Sequence, residues 1–81
     1  MRRVKTYRVR AAWDAEAGVW IATSDDVPGL CCEAETWAEL IDSVRELAPD
    51  LLVLNHAAPP GARTVTLRIV AEDERAVTLV A

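Results

Sequence analysis

Residues 4–13, VKTYRVRAAW, alternate: Tyr7, Val9, Ala11 and Trp13 fall on one side, Thr6, Arg8 and Arg10 on the other. A period of two marks a half-buried strand. DAEAG follows, and its Gly18 can take the left-handed conformation of a tight hairpin. VWIATS, residues 19–24, reads as a second strand because β-branched and aromatic residues dominate it. DDVPG then breaks that strand, since Pro28 has no amide donor and Gly29 permits a turn. LCCEAE, residues 30–35, completes a meander as a short third strand.

The period then changes. Thr36 and Glu39 form T-x-x-E, which predicts a capping box in which each side chain covers the other residue's free amide. Apolar residues recur behind it at Trp37, Leu40, Ile41, Val44, Leu47, Ala48, Leu51 and Leu52, the template of an amphipathic helix. Pro49 lies inside this stripe, at a cost of ~3 kcal/mol unless a kink relieves it. The pattern therefore predicts a kinked helix, or two abutting helices, ending near Asn55. HAAPPGA is a connector. RTVTLRIVA alternates again, with Val65, Leu67, Ile69 and Ala71 on one side, and EDER reads as a charged turn. AVTLVA, residues 76–81, could return as a last strand. The expectation is one α+β domain over residues 1–81, β-β-β-α-β with an optional fifth strand, its sheet covered on one face by the helix.

One helix leaves the other face open. Arg8, Arg10 and Arg68 are expected there, with Thr23 or its neighbour Trp20 according to register. Trp13 and Trp20 flank the hairpin and could either fill the core or join those arginines in a partner interface. An open face and an unprotected edge strand on so small a domain predict a homodimer.

Charge and composition sharpen the picture. At 81 residues and 52% hydrophobic, the chain suffices for one core, and no apolar run approaches the ~20 residues of a membrane span. MRRVKTYRVR lacks the apolar centre of a signal peptide and reads as a strand entry. The net charge is −4, with bases concentrated in the first ten residues and acids in the body. That balance opposes bulk electrostatic binding of nucleic acid and suits a basic partner. Adjacent Cys31 and Cys32 point to opposite faces of a strand, so free thiols and a cytoplasmic location are expected.

Little points to catalysis. Asp14, Glu16, Asp25, Asp26, Glu33 and Glu35 could converge on a divalent ion only if rigidly held, yet they occupy turns and strand ends. Acids in turns ordinarily bond their own backbone. Asp26, Pro28 and Gly29 accordingly read as a structural bend. His56 is the single histidine and follows the helix end, where it suits the carbonyl terminus of the dipole. Ser24 and Ser43 lie in no nucleophile motif, and no glycine-rich phosphate loop exists. No enzyme activity, metal or cofactor is expected. A rival reading is a nucleic-acid-binding domain, with Arg2, Arg3, Lys5, Arg8, Arg10 and Arg68 gripping phosphates beside stacking tryptophans.

From Tyr7 to Leu52 the order of landmarks resembles the HicB-type antitoxin domain. The acidic hairpin Asp14 to Gly18, the aromatic strand Val19 to Ala22, the bend Asp26-Val27-Pro28-Gly29 and the helix start Thr36 to Glu39 carry the resemblance. It implies a degraded ribonuclease-H-like sheet without catalysis that neutralises a small basic ribonuclease toxin. Asp25 departs from the proline usual before the bend, and the β pattern after the helix replaces the DNA-binding domain that many such antitoxins carry.

Overall fold

The computed structural model describes residues 5–80. Its elements are β1 (Thr6–Asp14), β2 (Val19–Thr23), β3 (Cys31–Ala34), α1 (Trp37–Leu54) and β4 (Thr66–Glu72). The α+β class and the element order are as the sequence predicts. The four strands form one sheet in the order β3-β2-β1-β4. β1, β2 and β3 are the antiparallel meander, whereas β4 lies parallel to β1, on the side away from β2.

The core lies on one face. Tyr7, Val9 and Ala11 of β1 and Ala22 of β2 meet Leu40, Val44, Ala48 and Leu52 of α1, all buried. These helix residues are spaced by four, so they line up along one side of α1. Val27 and Leu30, from the bend after β2, close the same cluster. α1 rests on β2 and β3, so Leu67 and Ile69 of β4 stay only half-buried.

Several expectations need correction. α1 is one continuous helix through Pro49, not two. The proline leaves the Arg45 carbonyl without its intrahelical donor, but Pro49 is exposed, so water can take that place. Of the capping box, Thr36 Oγ1 accepts from the Glu39 amide at 3.2 Å, while the Glu39 carboxylate makes no return bond among the described residues. Residues 73–80 form no fifth strand. Arg2 and Arg3, invoked for nucleic acid, lie outside the described residues.

The helix stops on a motif that its apolar pattern conceals. His56 takes φ +53°, its amide donates to the Val53 carbonyl at 3.2 Å, and the Ala57 amide donates to the Leu52 carbonyl at 2.8 Å. This is a Schellman ending in which histidine occupies the left-handed position that glycine favours. His56 thus serves through its backbone. The buried Tyr7 hydroxyl donates to the Ala57 carbonyl at 2.8 Å, fastening the connector to β1.

Candidate functional site

Alternation sends Thr6, Arg8 and Arg10 of β1, Ile21 and Thr23 of β2, Cys31 and Glu33 of β3, and Arg68 and Val70 of β4 to the helix-free face. Arg8 and Arg68 are direct neighbours in the parallel register. Arg10 reaches Asp25 at 3.1 Å, an exposed pair worth little by itself. Arg8, Arg10, Asp25, Asp26 and Glu72 together line a shallow polar depression of about 180 Å³. Two bases and three acids line it, so the depression carries no concentrated charge of one sign.

The bend beneath it is built by side chains. β2 ends at Thr23, opposite Arg10 and two residues short of the position that would pair with Arg8. Ser24 and Asp26 take over: the Ser24 hydroxyl donates to the Arg8 carbonyl, and Asp26 Oδ2 accepts from the Arg8 amide at 2.7 Å. Ser24 Oγ also accepts from the amides of Asp26 and Val27 at 3.1 and 3.0 Å. The Leu30 amide donates to the Val27 carbonyl at 3.1 Å across Pro28 and Gly29, and Gly29 has φ +81°. That is the type II signature, with proline second and a left-handed glycine third. Asp26, Pro28 and Gly29 thus form the bend, and Asp25 stands only at its rim. Asp14 is equally local, accepting from the Glu16 and Ala17 amides at 3.0 and 3.2 Å. Among the described residues no group of three His, Cys, Asp or Glu side chains is arranged to hold a metal ion.

The tryptophans are not where the interface reading needs them. Trp13 pairs with Trp20 across the hairpin, and both lie on the helix side. Trp13 meets Trp20 edge-to-face at 5.6 Å, and Trp20 meets Trp37 of α1 at 5.1 Å. The candidate set Arg8, Arg10, Trp13, Trp20 and Arg68 is therefore split between opposite faces of the sheet. Trp20 sits between two partly exposed neighbours at the end of the core.

A further feature emerges on the outer side of α1. Glu39, Asp42, Glu46 and Asp50 are all exposed and recur at helical spacing, forming an acidic stripe along the helix. The i, i+3, i+7, i+11 spacing of these acids is legible in the sequence. Cys31 lies exposed on the open face, and Cys32 packs toward the core. Burial, and then the neighbouring Cys31, push the Cys32 thiol above its ordinary range, away from the reactive thiolate. No described helix is long and apolar enough to cross a membrane.

Residues 6–81 match the family described as a domain of unknown function, DUF1902. The crystal structure of the hypothetical protein TTHA1013 from the extremely thermophilic bacterium Thermus thermophilus is similar in sequence and fold. Identity is 44%, the TM-score is 0.77, and the match covers 90% of this chain and 100% of that one. No curated protein matches this chain.

Proposed function

The chain belongs to the DUF1902 family, and we propose that it is a non-enzymatic protein-binding module of HicB-antitoxin kind, which holds a small basic ribonuclease toxin inactive. The acidic stripe Glu39, Asp42, Glu46 and Asp50 carries this reading. Carboxylates fixed on a rigid helix make an oriented surface that steers a cationic protein and sets its register. The turn acids Asp14 and Glu16 add to the negative charge of the domain. Free thiols at Cys31 and Cys32 suit the reducing cytoplasm in which such a pair would meet.

The nucleic-acid reading is the weaker. Its stacking platform required tryptophans beside the arginines, and the two sets occupy opposite faces. Asp25 also compensates Arg10.

The test is a titration of the purified protein with any small basic protein encoded beside its gene, with single-stranded RNA and duplex DNA in parallel. Salt-sensitive binding of the protein is expected, with association slowed about tenfold or more by D42K/E46K/D50K. No RNA cleavage is expected with magnesium or manganese. Micromolar RNA binding at physiological salt, lost on replacing Arg8 and Arg68, would sink this reading and promote its rival.

A further inference from the structure

We infer that two copies of this chain dimerise by exchanging their C-terminal segments, residues 76–80 of each lying antiparallel along the free edge of β4 in the other. Four observations converge on it, and none depends on what the acidic helix face binds.

A receptor site exists. Because α1 rests on β2 and β3, Ile69 on the helix side of β4 is left only half-covered, short of a groove of about 350 Å³ that opens between the second half of α1 and the start of β4 at Val65 and Leu67. β4 is an outer strand of the sheet, so one side of its seven-residue backbone is unpaired among the described residues.

A segment of fitting chemistry exists too. Val77, Leu79 and Val80 are 80%, 91% and 92% exposed, and residues 73–80 make no backbone bond to the rest of the described domain. Val77 and Leu79, bared to that extent at alternating positions, form one apolar side of a strand that lacks its cover.

The phase agrees. The backbone runs on from Glu72 through residue 80 without a turn or bend. In an extended chain alternate residues share a side, so Val77 and Leu79 continue the row of Leu67, Ile69 and Ala71. A two-fold axis normal to the sheet at residue 74 keeps that side toward the helices. It sets Val77 beside Ala71, Leu79 beside Ile69, and Asp73 beside Arg75 of the other copy. The Asp73–Arg75 pair, 3.0 Å apart within one chain, is thereby remade between chains. Glu74 meets its twin on the axis on the solvent side, where water screens the repulsion.

The same chain cannot easily serve itself. Folding back onto its own β4 with Val77 and Leu79 inward takes a three-residue loop, residues 73–75, whose last position is left-handed and wants glycine. Arg75 stands there. A loop that resists closure favours exchange between copies, and an isologous exchange closes at two.

Sedimentation velocity on the full-length chain tests this. The wild type is expected to be a dimer at high micromolar concentration. V77D/L79D is expected to be a monomer with an unchanged far-ultraviolet circular dichroism spectrum. Arg75→Gly is expected to shift the population to monomer by letting each tail close on the edge of its own β4. I21D/V70D, on the helix-free face, is expected to stay dimeric. A monomeric wild type, a dimer that survives V77D/L79D, or a dimer dissolved by I21D/V70D alone would overturn the inference.

Discussion

Two stretches of this chain begin alike and end differently. After β2 come Ser24, Asp25 and Asp26, then apolar Val27 and Leu30; after β4 come Asp73 and Glu74, then apolar Val77 and Leu79. In the first, Leu30 ends 4% exposed; in the second, Leu79 ends 91% exposed. Hydrophobicity does not separate them. What separates them is local chemistry able to reverse the chain: a serine and an aspartate that substitute for missing strand partners, followed by Pro-Gly. EDER holds nothing equivalent, so the apolar residues after it run on without turning back. Burial of a short segment is decided at its turn.

The comparison can be broken at its largest effect first. Leu30→Ala is expected to cost about 2–5 kcal/mol in denaturant unfolding, whereas Leu79→Ala in the monomeric Arg75→Gly background, whose tail folds inward, should cost markedly more than in a monomer whose tail stays free. Equal costs for Leu30→Ala and Leu79→Ala in chains diluted until the dimer dissociates would erase the distinction. Gly29→Val comes next, at about 2 kcal/mol or more, because a β-branched residue is strained at φ +81°. Space is not the obstacle, since the nearest atom to an added Cβ is Leu51 Cδ2 at 3.7 Å. Asp26→Ala, which frees the Arg8 amide, should cost about 1 kcal/mol, and Asp25→Ala within about 0.5 kcal/mol. A midpoint for Asp25→Ala as low as that for Asp26→Ala would contradict the division of labour between the two acids. His56→Gly is expected to stabilise by roughly 1 kcal/mol and so raise the midpoint, relieving a left-handed residue by the same rule that penalises Gly29→Val.

Much of this was legible in the sequence, wherever one residue's neighbours along the chain settle its fate. Alternation in β1 gave the buried row Tyr7, Val9 and Ala11, and the helical period gave Leu40, Val44, Ala48 and Leu52. The side taken by Trp20 depended on how many residues the hairpin spends. Asp14 pairs with Val19, and that count puts Trp20 across from Trp13 on the helix side. The position of β4 against β1 left no local trace, because a crossover can return to either edge. The last strand was read from its pattern alone, yet a strand needs a partner as well as a pattern. The acidic stripe is legible in the spacing of Glu39, Asp42, Glu46 and Asp50, whereas the acids Asp14 and Asp26 are used up in holding backbone amides.

The tryptophan row at the end of the core has an optical consequence. Trp13, Trp20 and Trp37 are the chain's whole complement of indoles, and they touch in series at 5.6 and 5.1 Å with planes crossed at 66° and 72°. Chromophores so close and so tilted couple their transitions, and the middle one bridges the hairpin to the first turn of the helix. Its emission and near-ultraviolet dichroism therefore register one event, the seating of α1 on the sheet. The tail at residues 73–80 holds no tryptophan and stays dark, so unfolding followed by fluorescence sees the domain while hydrodynamics sees the tail.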